Sequence, residues 1–168
     1  EDGTEAVKYK VGGDQRFVTV PEHFIGTQPY EQGNLKHFMI AMWQGLNGTS
    51  DESDQGKDYI RYEVERQINA GSHYLDLNVD ESSYRLLEQK QTMEWVVKFV
   101  ESVSAVPPSV DSSNAEIIEV GLSAYGGSQG RPMLNSIALE RPEAIDMALK
   151  HDARAIVMAS NEVGMPSD

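Results

Sequence analysis

Apolar residues recur every three or four positions along much of the chain, which is the pattern of amphipathic helices with one buried face. This spacing predicts helices over residues 35–46, 57–70, 92–103, 115–122 and 142–150. Thr92 and Asn114 stand at the start of two of these stretches, and we expect them to be N-caps because their side-chain oxygens can accept hydrogen bonds from first-turn N–H groups. Residues 47–56 are acidic and rich in turn formers, so they predict a loop.

Short apolar or alternating runs separate these helices and predict strands. The runs cover residues 17–20, 74–79, 108–112, 133–138 and 155–159. In the second run, Leu75, Leu77 and Val79 fall on one face of the strand and polar residues fall on the other. Strands and helices then alternate with short connections, which is typical of parallel βαβ units. Residues 1–16 are polar, and we expect them to form an N-terminal extension.

Composition narrows the class of protein. The chain has 168 residues, with 27 acidic and 14 basic side chains and a formal net charge of -13. Because this charge repels polyphosphates and the basic residues are scattered, we expect no nucleic-acid partner. No run reaches the ~18 apolar residues of a membrane span, so no membrane partner is expected. The absence of cysteine excludes disulfides and thiolate metal sites and favours a cytoplasmic location. The four histidines lack metal-ligand spacing, so no metal site is expected.

Polar residues recur where the predicted strands end. They are Asp76 and Asn78, Asp111 and Ser112, Asn135 and Ser136, and Asn161 and Glu162. A (β/α)8 barrel places its active site at these strand ends, and the glycine-rich fingerprint of dinucleotide-binding sheets follows none of the strands. N-capping would explain Asn114 or Ser113 but not Asp111, which has apolar neighbours inside a strand. A carboxylate together with the Asn135 amide would suit a heterocycle with adjacent N–H and C=O groups, whereas a polar barrel interior is the alternative for residues 76–78.

Four segments in this order carry a family resemblance. They are residues 71–80 (Gly-Ser-His-Tyr-Leu-Asp-Leu-Asn-Val-Asp), 108–122, 134–140 and 155–164. They resemble the second- to fifth-strand motifs of the pterin-binding (β/α)8 barrels, which include the folate domain of cobalamin-dependent methionine synthase and the methyltetrahydrofolate:corrinoid protein methyltransferases. Asn161 takes a position where this family usually has Asp. The family's first-strand motif is represented in residues 25–30 by little more than Gly26.

The resemblance implies a methyltransferase of one-carbon metabolism. The methyl group would pass from N5 of methyltetrahydrofolate to Co(I) of a cobalamin, which a partner domain or protein carries. Asn135 would be the catalytic residue, because the matching Asn is thought to stabilise a protonated N5, and it would also bind the pterin with Asp111. The other pterin-binding residues implied at the barrel mouth are Asp76, Asn78, Ser112 and Asn161.

The resemblance also implies a domain organisation. Residues 1–168 would form one partial α/β barrel domain with about the first five βα units, and residues 1–16 would be its polar extension. Two other functions stay open. One is a truncated, non-catalytic fragment of such a barrel. The other is an enzyme similar to dihydropteroate synthase, which shares the barrel but has a second-strand motif rich in Gly and Ser or Thr.

Overall fold

A computed structural model describes residues 3–159. The chain divides into two compact units, Glu1–Arg66 and Gln67–Asp168. The first unit contains the strands β1(Ala6–Val11) and β2(Asp14–Thr19), the helices α1(Gln28–Glu31) and α2(His37–Asn47), and most of α3(Ser50–Asn69). The second contains β3(Leu75–Asn78), α4(Leu86–Val103), β4(Pro108–Asp111), α5(Ala115–Ala124), β5(Met133–Ile137), α6(Glu143–Lys150) and β6(Arg154–Val157). The assignment of residues 1–168 to a single domain stays a prediction.

The first unit begins with an antiparallel hairpin of β1 and β2. The sequence predicted a polar extension over residues 1–16 and a strand over residues 17–20, so most of the hairpin was missed. Its loop is Gly12-Gly13, and both glycines have positive φ (57° and 98°). Only glycine adopts this pair of conformations readily, and it is the pair that a two-residue hairpin turn with the right twist requires.

Two predicted helix starts were wrong, because the first turns of these helices carry little apolar periodicity. α3 begins at Ser50 rather than residue 57, and the Glu52 carboxylate accepts hydrogen bonds from both the backbone N and the Oγ1 of Thr49 (2.8 Å each). α4 begins at Leu86, so Thr92 lies inside the helix, where its Oγ1 donates to the Glu88 carbonyl oxygen at 2.9 Å. Asn114 is confirmed as the N-cap of α5.

The second unit contains a parallel sheet in the order β3-β4-β5-β6. The strands β3, β4 and β5 are each followed by a helix, so the α/β class and the partial barrel type are confirmed. The sheet is open and has four parallel strands among residues 3–159. The strand predicted at residues 17–20 belongs to the hairpin instead. Leu75, Leu77 and Val79 are buried as the alternation predicted, which leaves Asp76 and Asn78 on the other face.

Within the part of the chain that the structure describes, no helix combines the length and the apolar character that crossing a bilayer requires.

Gly56 is expected to be intolerant of a side chain, because α3 approaches α2 closely there. A Cβ at this position would lie 2.5 Å from the Ala41 carbonyl oxygen and 2.8 Å from the Gly45 nitrogen. Both are backbone atoms of a packed helix, so they cannot move aside as a side chain could. Gly56→Ala should therefore lower the free energy of unfolding by about 1–3 kcal/mol, although alanine is the better helix former.

Urea unfolding measures this difference. Asp54→Ala is the matched control, because Asp54 is exposed on the same helix and its replacement should change the unfolding free energy by less than about 0.5 kcal/mol. A Gly56→Ala variant as stable as the control variant would contradict the close helix contact.

Candidate functional site

The predicted site residues of three neighbouring strands form one row across the sheet. In the strand register, Asn78 of β3 is opposite Asp111 of β4, and Asp111 is opposite Asn135 of β5. Residues at the same level of a parallel sheet project from the same face, so the three side chains converge at the carboxyl ends of their strands. Asp76 lies two residues before Asn78, on the same face of β3.

Hydrogen bonds join these side chains into one pair and one group of three. The Asn78 Nδ2 donates to Asp111 Oδ2 at 2.9 Å. The Asp76 Oδ1 accepts from the Ser109 Oγ at 2.7 Å and from the Asn135 Nδ2 at 3.3 Å. Because the Asn135 amide donates towards Asp76, its Oδ1 is the atom oriented to accept a hydrogen bond from a ligand.

Asp80 links the loops that follow β3 and β4. Its carboxylate accepts from the Ser112 Oγ and, at 2.9 Å, from the Ser113 backbone N, while its own backbone N donates to Asn78 Oδ1 at 3.0 Å. The Ser112 Oγ also accepts from the Asn114 backbone N at 3.0 Å. Ser112 is buried, and its hydroxyl therefore connects loops of the protein itself. Its assignment to pterin binding stays a prediction.

Burial raises the pKa of the Asp111 carboxyl above its ordinary value, and the negative charges of Asp76 and Asp80 raise it further. The hydrogen bond from Asn78 and the positive charge of Arg141 act in the opposite direction. Asp111 is thus a half-buried carboxylate in an environment that disfavours its charge, which is typical of a functional position. A ligand that donates hydrogen bonds to it would offset the cost of that charge.

The arrangement suits a planar ligand with N–H groups along one edge. The two oxygens of a carboxylate can accept from two neighbouring N–H donors, and amides on both sides supply either a donor or an acceptor. Among residues 3–159, the structure has no cluster of three or more His, Cys, Asp or Glu side chains arranged to hold a metal ion.

Sequence reasoning grouped strand ends that are neighbours in the structure, and it left two residues near them unassigned. The structure places Asp76, Asn78, Asp111 and Asn135 in one site, with Ser112 beneath it. Asn161 lies outside the described residues, so its role stays a prediction. The unassigned residues are Asp80, which ends the segment 71–80 that carries the resemblance, and Arg141, for which the spacing gives no signal.

The chain was compared with models of protein families. The family described as "Pterin binding enzyme" matches residues 47–167, which is most of the chain. The match includes the whole row of strand-end residues.

Proposed function

Because the chain belongs to the family of pterin-binding enzymes, we propose that it is a methyltransferase that uses methyltetrahydrofolate. Its site would bind the pterin ring and release the N5 methyl group to the cobalt of a cobalamin. The cobalamin would be carried by a partner domain or protein, and as Co(I) it supplies the nucleophile that accepts the methyl group. The family match indicates a pterin-binding enzyme, and the proposal adds a specific reaction to it.

The observation that carries the proposal is the row of Asn78, Asp111 and Asn135. The pyrimidine edge of a pterin presents an exocyclic amino group beside a ring N–H. A half-buried carboxylate such as Asp111 accepts from both, and flanking amides match the remaining carbonyl and ring nitrogens. The donors and acceptors present at the strand ends therefore fit a pterin, and they require no metal ion.

Asn135 is the residue that we assign to the chemical step. Its Oδ1 would accept a hydrogen bond from the protonated N5, where positive charge develops before the methyl group leaves. As the N5–methyl bond breaks, its electron pair stays on N5, which leaves as a neutral amine. Asp76 would hold the Asn135 amide in this orientation through the 3.3 Å hydrogen bond from Nδ2.

The second-strand motif favours this reaction over the condensation catalysed by dihydropteroate synthase. Asp76, Asn78 and Asp80 alternate along β3 and its end, without the Gly and Ser or Thr residues of the synthase motif. In this chain Asp76 contacts Asn135, and Asp80 is joined to the loop after β4. The β3 carboxylates thus support the residues proposed to bind the pterin.

The test combines a binding measurement with two activity assays. Calorimetric titration should show that the chain binds methyltetrahydrofolate. When the protein and methyltetrahydrofolate are mixed with free cob(I)alamin, the absorbance of the cobalamin should change as the cobalamin is methylated. Condensation of a pterin pyrophosphate with aminobenzoate, without methyl transfer, would overturn the proposal in favour of a synthase. Binding by a longer chain but not by these 168 residues would identify a non-catalytic fragment.

A further inference from the structure

Arg141 lies in the connection between β5 and α6, and its side chain returns towards the strand ends. Its backbone N donates to the Ala138 carbonyl oxygen at 3.0 Å, and its own carbonyl accepts from the Ala144 N at 3.1 Å. These two bonds fix the turn. The guanidinium Nη1 then donates to the Ser112 carbonyl oxygen at 2.8 Å, and Nη2 lies 3.5 Å from the Ser136 Oγ.

The two serines that Arg141 reaches are the residues directly after the proposed ligand-binding positions in β4 and β5. Ser112 follows Asp111 and is 1% exposed, and Ser136 follows Asn135 and is 5% exposed. A planar guanidinium donates along two directions in a fixed geometry, so one side chain can set the spacing of two strand ends. The Ser112 hydroxyl extends this connection to Asp80, beyond the end of β3.

The charges around the site are unequal. Among residues 3–159, the charges of the Asp76 and Asp80 carboxylates act on Asp111, and so does the positive charge of Arg141. Within residues 3–159, three carboxyl groups and the Arg141 guanidinium therefore interact at this site, in a chain whose formal net charge is already -13. Among the residues that the structure describes, Arg141 donates to a neutral carbonyl oxygen and forms no ion pair with any of these three carboxylates.

We propose that Arg141 is a positioning residue of the pterin site, which holds the ends of β4 and β5 together and supplies the positive charge that offsets Asp76, Asp80 and Asp111. The proposal rests on the function proposed above, because it takes Asp111 and Asn135 as pterin-binding residues. Arg141 itself acts through these residues and through Ser112 and Ser136.

Loss of the Arg141 charge has a defined consequence for pH dependence. Arg141 lowers the pKa of Asp111, whereas burial and the neighbouring carboxylates raise it. Without the guanidinium, Asp111 takes up a proton at higher pH. A protonated Asp111 no longer accepts from two N–H donors, so pterin binding should weaken at a higher pH than in the wild-type protein.

The experiment compares the wild-type protein with Arg141→Gln and Arg141→Lys. Methyltetrahydrofolate binding is titrated from acidic to neutral pH, and the pKa of Asp111 is followed separately by carbon NMR of the carboxyl groups. Arg141→Gln should raise the pH midpoint of binding and the pKa of Asp111, with about tenfold weaker binding at acidic pH. Arg141→Lys keeps the positive charge but loses the planar group that donates along two directions. Its pH midpoint of binding should therefore stay near the wild-type value, while its affinity for methyltetrahydrofolate falls.

Arg131→Gln is the matched control. Arg131 lies before the opposite end of β5, where it bonds the Asp152 carbonyl oxygen at 2.8 Å and pairs with the Asp152 carboxylate. Its replacement should leave binding and its pH midpoint unchanged. A purely structural role for Arg141 would instead lower affinity by the same factor at every pH, and this result would overturn the proposal.

The failure of the two proposals can be distinguished. If the wild-type protein binds pterin and Arg141→Gln changes neither the midpoint nor the pKa of Asp111, Arg141 has no positioning role. If the wild-type protein binds no pterin, the proposed function is wrong, and the NMR titration alone decides the electrostatic part. An unchanged pKa of Asp111 in Arg141→Gln would then overturn the electrostatic role of Arg141, and a raised pKa would support it.

Discussion

Asp111→Asn is expected to remove most of the pterin binding and to make the folded protein more stable at neutral pH. The two effects have the same origin, because the site keeps a carboxylate where burial and neighbouring charges disfavour it. An amide turns one of the two acceptor oxygens into a donor, which would point at an N–H group of the ligand. The lost charged hydrogen bond is worth about 1.5–3 kcal/mol, or about 10- to 150-fold in affinity.

The gain in stability follows from the direction of the pKa shift. The folded protein raises the pKa of Asp111, so it binds the proton more tightly than the unfolded chain does. Stability must therefore fall as pH rises from the ordinary pKa of an aspartate through the raised value. Asparagine has no charge to destabilise, and its Oδ1 can still accept from the Asn78 Nδ2.

Urea unfolding at acidic and neutral pH, with calorimetric titration of methyltetrahydrofolate, measures both effects. The wild-type protein should lose more stability on going to neutral pH than Asp111→Asn does. Asp54→Asn is the matched control, since Asp54 is exposed on α3 and its replacement should change neither quantity. Retained affinity in Asp111→Asn would show that Asp111 is not a ligand-binding residue.

The second unit was well predicted because its local signals agree with its tertiary packing. Alternation in residues 74–79 identified the buried face of β3, and the Asn114 cap identified the start of α5. The order of the strands along the chain was enough to bring Asp76, Asp111 and Asn135 to one edge, since parallel strands end on the same side of a sheet.

The first unit was predicted less well, because the alternation of apolar residues in its strands is obscured by the polar residues around them. Val7, Tyr9 and Val11 alternate with lysines in β1, and Gly12-Gly13 provides the turn, but the segment is polar on average. Among the β1 residues only Tyr9 is buried, and its ring lies 5.1 Å from that of Tyr59. This aromatic contact joins residues far apart in the sequence, so periodicity does not reveal it.

Arg141 illustrates what spacing along a strand does not predict. Its contact with Ser112 depends on the turn after β5 directing a long side chain back across a neighbouring strand end. Asn135 and Asp111 were found from their unusual place in apolar strands, whereas an arginine in a polar connection is ordinary. Charge balance within the site identifies it only after the three carboxylates have been placed.

Asn135→Ala is expected to slow methyl transfer much more than it weakens binding of methyltetrahydrofolate. The Asn135 Oδ1 would act chiefly on the protonated N5, and an interaction that strengthens in the transition state contributes to kcat rather than to affinity. Removal of a comparable oriented polar group costs about 100- to 1,000-fold in kcat in other enzymes. We therefore expect kcat to fall by about 100-fold, with Kd changed by only a few-fold.

Single-turnover methyl transfer to cob(I)alamin and calorimetric titration separate the two quantities. Asn78→Ala is the matched comparison, because Asn78 bonds Asp111 at 2.9 Å and has no proposed role in the chemical step. Its loss should weaken binding and leave the rate of the bound complex nearly unchanged. If Asn135→Ala instead lowered the affinity and the rate by the same factor, Asn135 would be a pterin-binding residue without a role in stabilising the proton. If Asn135 does stabilise the proton, Asp76→Asn should reproduce only part of the fall in kcat seen with Asn135→Ala, since Asp76 orients the Asn135 amide and would not contact N5.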